Sequence, residues 1–137
     1  MAKIIHLVIT LFFLTTFVFG GAIPDDMKAF AKTLRDICIA ESGTMKEYIE
    51  KASKGEFTND EKLKCYFKCL FEKLDLITEA GELDYEKMMD FAPKFLKQSA
   101  MKMIENCRST TGTDLCDTAF KVNKCFQKTD PTTYFVI

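Results

Sequence analysis

Six cysteines are the residues of this 137-residue chain with the most reactive chemistry: Cys38, Cys65, Cys69, Cys107, Cys116 and Cys125, spaced C-x26-C-x3-C-x37-C-x8-C-x8-C. In a reducing compartment such thiols hold metals or act as nucleophiles. In an oxidising one an even set pairs into disulfides. The N-terminus decides between the two. Lys3 precedes an almost wholly apolar run from Ile4 to Phe19, and Gly20, Gly21 and Ala22 lead into Pro24-Asp25-Asp26. A charged start, a short apolar stretch and small residues make a secretory signal, and the run falls short of the ~20 residues that span a bilayer. Residues 1–20 are therefore read as a signal peptide cleaved after Gly20 to Ala22. Residues 21–137 are read as one secreted, extracellular domain that does not insert into a membrane.

Other chemistry is scarce. The single histidine, His6, lies in the signal. Without it the mature chain has no imidazole base for a serine or cysteine nucleophile and none of the usual zinc ligand sets, and oxidised cysteines do not make a thiolate zinc site. Glu79 with Glu82, or Asp84 with Asp90, offer paired carboxylates of the kind that hydrolyse glycosides, but in this context they read as a solvated loop and helix face. No enzyme activity, metal or cofactor is expected. Losing the signal removes Lys3 and leaves 18 basic against 20 acidic residues, both signs scattered, which favours neither nucleic acid nor an anionic membrane surface. No Asn-x-Ser/Thr acceptor occurs.

The elements that position these cysteines are helical. Met27, Phe30, Ala31, Leu34, Ile37 and Cys38 recur at helical spacing after Pro24, which predicts a first helix over 24–41 that stops near Gly43. Thr44 to Glu47 and Thr58 to Glu61 have capping-box spacing, so a short second helix starts at Thr44 and a third at Thr58, with Gly55 between them. Leu63, Tyr66, Phe67, Leu70, Phe71 and Leu74 give the third helix an unbroken apolar stripe and place it centrally. Gly81 marks a turn, Asp84 caps a short fourth helix through Met89, and Pro93 breaks the pattern or opens the fifth helix. That helix carries Leu96, Ala100, Met103, Ile104 and Cys107 on one face. The sixth begins at Thr113-Asp114, presents Leu115, Ala119, Val122 and Phe126, and ends at Asp130-Pro131.

Helix geometry limits how the cysteines pair. Cys65 and Cys69 share a face, but their nearly parallel Cβ bonds suit two different partners. Cys116 and Cys125 point to opposite sides of one helix, ~13 Å apart along it. Of 15 connectivities, ten survive both exclusions.

The whole spacing, with Asp36-Ile37-Cys38, Glu61-Lys62-Leu63-Lys64-Cys65-Tyr66, Cys69-Leu70-Phe71 and the ending from Lys124-Cys125-Phe126 to Tyr134-Phe135-Val136-Ile137, resembles the insect odorant-binding proteins of the fly and mosquito branch. The resemblance implies an all-α, six-helix, disulfide-stapled domain enclosing a hydrophobic cavity, with pairs Cys38–Cys69, Cys65–Cys116 and Cys107–Cys125. It places Tyr85, Met88, Ala92, Leu96, Ala100 and Met101 on the cavity wall, completed by Phe120, Asn123 and Phe126 and joined by Phe67 and Leu74. Methionine is independently suited to such a wall, because flexible thioethers adapt to varied shapes, and Met88, Met89, Met101 and Met103 flank the break between the fourth and fifth helices. Asn123 is the polar candidate for a ligand hydroxyl or carbonyl.

The last four residues are apolar where termini usually fray as polar segments, which indicates a packed tail. By resemblance it is a lid that brings Tyr134 and Phe135 to the ligand, while the Ile137 carboxylate meets Arg35 and Tyr66. Arg35 stays charged where a histidine would titrate near neutrality, so the expected lid opens only as that carboxylate is protonated, well below pH ~6. The implied partner is a small hydrophobic volatile or lipid-like ligand, transported through aqueous lymph to olfactory receptors, and a homodimer is compatible with the family. Two other readings are a carrier in haemolymph, saliva or reproductive fluid, and a secreted helical effector with a solid core and no ligand.

Overall fold

The computed structural model describes residues 24–137; the secretory signal read from residues 1–20 lies outside the described residues. Helix α1 spans Asp25–Ser42, α2 Lys46–Ser53, α3 Glu61–Lys73, α4 Tyr85–Phe91, α5 Lys97–Cys107 and α6 Leu115–Thr129, with a 3-10 turn at Lys94–Leu96. Among the described residues there is no strand, only an isolated bridge between Ile77 and Leu83. The fold is all-α.

The chain divides into residues 1–30 and residues 31–137. In the first part, Pro24 accepts from the Lys28 amide at 3.1 Å and Asp25 pairs with Lys28 at 3.6 Å, so acidic residues sit at the positive end of the α1 dipole. In the second part, the remainder of α1 buries Leu34 and Cys38, while Ile37 stays 41% exposed. The apolar stripe is thus narrower than its periodicity predicts. Gly43 ends the helix at φ 71°, a left-handed conformation that costs glycine nothing, and its amide bonds Ile39 at 2.9 Å.

Two of the expected caps move. Asp60, not Thr58, caps α3 by accepting from the Leu63 amide at 2.9 Å. Met45 precedes α2 without a side-chain cap, and the Thr44 hydroxyl is buried without a hydrogen-bond partner. In both cases a Ser/Thr-x-x-Glu spacing was available, but the backbone enters the helix one or two residues later. Asp84 and Asp114 do cap α4 and α6, accepting from Lys87 and Asp117 amides at 2.9 and 2.8 Å. Pro93 breaks the pattern rather than opening α5, which starts only after the 3-10 turn.

The principal packing is α3 against α6, with α5 against α6 next. Leu63, Tyr66 and Phe67 of α3 and Ala119, Phe120 and Val122 of α6 are buried between them. Phe67 and Phe120 lie 6.2 Å apart and each meets Phe57, at 6.0 and 5.6 Å, which makes a solid aromatic core. Beside it Asp117, itself buried, takes Lys121 at 2.7 Å, Lys64 of α3 at 3.4 Å and the Thr113 amide at 3.0 Å. Those bonds, the Lys121 one first, hold its carboxyl down to about 2. Gly112 makes this corner possible: a Cβ there would stand 2.5 Å from the Thr118 nitrogen.

Among the ten connectivities compatible with helix geometry, the structure has Cys38–Cys69, Cys65–Cys116 and Cys107–Cys125. They tie α1 to α3, α3 to α6 and α5 to α6. Sequence separations of 31, 51 and 18 mean that each closes a long loop of the unfolded chain.

An apolar cavity closed by the C-terminal tail

A cavity of about 240 Å³ lies in the second part of the chain, beside the aromatic core. Its wall is assembled from six places. The end of α3 supplies Leu70, Phe71 and Leu74, and the loop after it supplies Leu76. From α4 and its exit come Met88, Phe91, Ala92 and Pro93, and from the 3-10 turn and α5 come Leu96, Ser99, Ala100, Met103 and Ile104. Asn123 and Phe126 of α6 and residues 133–137 of the tail close it.

Leu76 reaches the wall because of how α3 stops. Asp75 adopts φ 56°, its amide bonds the Glu72 carbonyl at 3.0 Å, and the Leu76 amide bonds the Phe71 carbonyl at 2.8 Å. This is the paired-bond helix stop that glycine usually makes, here with aspartate in the left-handed position and an apolar residue folded back on the helix. Without a glycine to mark it, the stop is silent in the sequence.

The tail is held at three points. Ser99 of α5 donates to Asp130 at 2.6 Å and shares a hydrogen bond with Thr133, and the Asp130 carbonyl accepts from the Tyr134 amide at 3.1 Å. The Tyr134 hydroxyl donates to the Asn123 side-chain oxygen at 3.1 Å, and its ring lies 6.4 Å from Phe57. At the far end Tyr66, fully buried, donates to the main-chain oxygen of Ile137. Hydrogen bonds to its charged form, from Ser99 and then Thr132, hold Asp130 down to about 2. Burial pushes the phenols of Tyr66 and Tyr134 up, with Arg35 partly opposing it at Tyr66.

Several expected wall and latch residues stand elsewhere. Arg35 does not pair with Ile137: its guanidinium lies 3.9 Å from Glu50 of α2, while the buried Tyr66 hydroxyl is the group that meets the tail. Phe67 and Phe120 face each other across the α3–α6 contact and back the cavity without lining it. Met101 is 48% exposed on the opposite side of α5, because positions two apart on a helix differ by ~200° and Met103 takes the inward place. Tyr85 lines a separate polar cleft, with the Arg108 guanidinium 6.0 Å over its ring. Leu74, Met88, Ala92, Leu96, Ala100, Met103, Asn123, Phe126, Tyr134 and Phe135 do come together around the cavity. The sequence reading missed Leu70, Phe71 and Ile104 as wall residues, although each was already on an apolar stripe, and missed Ser99 and Thr133, whose spacing carries no signal.

Fold and site together define a disulfide-stapled helical container for a small apolar molecule. Residues 21–129 match the model of the PBP/GOBP family. The chain is 32% identical to the B2 protein of Tenebrio molitor over 78% of this chain and 84% of that protein. Among solved structures it is similar to odorant binding protein 4 of Chrysopa pallens, with a TM-score of 0.75 and 30% identity over 85% of this chain and all of that one. It is also similar to odorant binding protein 7 of Anopheles gambiae, solved with an azo compound, with a TM-score of 0.70 and 33% identity over 78% and 88% of the two chains. The chain belongs to the PBP/GOBP family, the odorant-binding proteins. That family is one of carriers for small hydrophobic ligands, not of enzymes.

Proposed function

We propose that the protein takes one small hydrophobic ligand into this cavity, carries it through extracellular aqueous fluid and, in an olfactory tissue, delivers it to receptors. The observation that carries this reading is a wall of aliphatic, methionine and aromatic side chains closed by the chain's own tail. An apolar solute leaves water for such a site because the surface removed from water is apolar on both sides. Residues 1–20 act in this reading as the signal that sends the carrier out of the cell. Ligand contact falls to Leu74, Met88, Ala92, Leu96, Ala100, Met103, Phe126 and Phe135, with Asn123 and Tyr134 as the polar pair.

The same container in haemolymph, saliva or reproductive fluid is a carrier outside olfaction, and tissue of expression separates the two. A solid-core effector is separated by binding. A ligand that binds only the folded state raises the melting temperature with concentration, by an amount equivalent to about 2.7 kcal/mol at a hundred times its dissociation constant. Nonan-2-one titrated into the secreted protein is expected to do so. Melting curves unmoved by it, and by other compounds of similar size, would remove the carrier reading. Native mass spectrometry of protein from its source tissue would show the bound molecule directly.

A further inference from the structure

The cavity wall contains no Asp, Glu, Lys or Arg. Its polar side chains are Ser99, Asn123, Thr133 and Tyr134, and most of their hydrogen-bonding capacity is already taken. Ser99 gives its proton to Asp130, which leaves Thr133 to donate to Ser99. Tyr134 gives its proton to Asn123. One N–H of Asn123 is used on the Ala119 carbonyl at 2.9 Å. An amide nitrogen has two protons, so the second N–H of Asn123 remains to meet a ligand. Size is limited as well: an apolar cavity of about 150 Å³ accepts benzene, and in proportion 240 Å³ accepts about ten non-hydrogen atoms.

Resting on the carrier reading, we propose that the cavity selects a neutral molecule of about ten non-hydrogen atoms bearing a single hydrogen-bond acceptor, such as a medium-chain ketone, aldehyde or ester, and rejects a carboxylate with the same number of non-hydrogen atoms. A neutral carbonyl loses little on leaving water, since the Asn123 N–H replaces one bond. An ionised carboxylate loses its hydration and finds no cation on the wall, which costs far more than burying a neutral polar atom. A chain several carbons longer gains apolar burial only if it has room. Here its surplus carbons either displace the tail, whose three anchors oppose that, or pass the exposed rings of Phe91 and Phe135 into water, where they gain no burial.

Equilibrium dialysis of the secreted protein at about pH 7.4, where a carboxylic acid is ionised, tests this with nonan-2-one, octanoate and tridecan-2-one. The first two have the same number of non-hydrogen atoms. Nonan-2-one is expected to bind more than about tenfold tighter than octanoate, the least that an unpaired buried charge should cost. It is also expected to bind at least as tightly as tridecan-2-one, whose surplus carbons find no further apolar wall. Octanoate within tenfold of the ketone would mean that a cation outside the wall reaches the carboxylate, and would overturn the selectivity for neutral ligands. Tighter binding of tridecan-2-one would overturn the size limit. In either case the carrier reading stands, whereas binding of none of the three removes that reading and the selectivity with it.

Discussion

At the residue scale, closure of the cavity depends on groups that do not titrate near neutrality. Asp130 is held down to about 2 by the hydroxyls of Ser99 and Thr132, and the phenols of Tyr66 and Tyr134 are pushed up by burial. A carboxyl whose folded value lies below its unfolded value of ~3.9 contributes stability that is fully present above ~4 and is lost as pH falls toward 2. Probe affinity is therefore expected to be level from pH ~8 to ~5 and to fall only in the window from ~4 to ~2. A steep loss between pH ~7 and ~6 in a titration of nonan-2-one binding would contradict this assignment of the anchors. Replacing Asp130 by Ala leaves Ser99 and Thr132 without their shared acceptor. Amide exchange at residues 133–137 should then accelerate by about tenfold, the effect of losing roughly one hydrogen bond to a charged group, while exchange in α3 and α6 stays unchanged.

At the scale of elements, the end of α3 is where local conformation and cavity shape meet. Asp75 stands in the left-handed region, which disfavours residues with a Cβ, and its ion pair with Lys87 is exposed and worth little. Asp75→Gly is expected to raise stability by about 0.5–1 kcal/mol in urea unfolding, with the cavity preserved because Leu76 keeps its place. Destabilisation instead would show that the Lys87 pair outweighs the backbone term. The same helix stop explains part of what the sequence reading missed. Leu76 carries no periodic signal, being neither in α3 nor in α4, and it enters the wall through a turn that lacks the usual glycine. The reverse holds for Met101 and Met103: both are methionines near the same break, and only the ~100° step of the helix distinguishes the inward from the outward one.

At the scale of the whole molecule, three disulfides and the α3–α6 core make a frame on which the tail acts as a separable wall. Removing residues 134–137 takes away Tyr134, Phe135, Val136 and Ile137 from the lining and leaves every helix and every disulfide intact. Far-UV circular dichroism should be unchanged. Affinity for nonan-2-one should fall by at least about tenfold, since even one fully buried apolar side chain is worth ~1.5–3 kcal/mol. Undiminished affinity would place the ligand outside this cavity.

Much of this molecule was legible before its structure. Six helices follow from apolar spacing at 3–4 residues, and the caps of two of them from Asp84 and Asp114, because both are local properties of the backbone. Two cysteine pairings are excluded by the direction of side chains on a single helix. The inward places of Met88, Ala92, Ala100 and Met103 follow from periodicity together with resemblance, whereas resemblance also put Met101 on the wall and the structure turns it outward. What the sequence could not decide depends on contacts between segments distant along the chain: that Arg35 turns to Glu50 while Tyr66 takes the tail, that Phe67 and Phe120 fill a core instead of lining a void, and that Ser99 meets Asp130 and Thr133. A short-range pattern says which face of a helix is apolar. Whether that face meets another side chain or an empty volume is decided only when all the helices are stapled together, since the cavity is the space their packing leaves over.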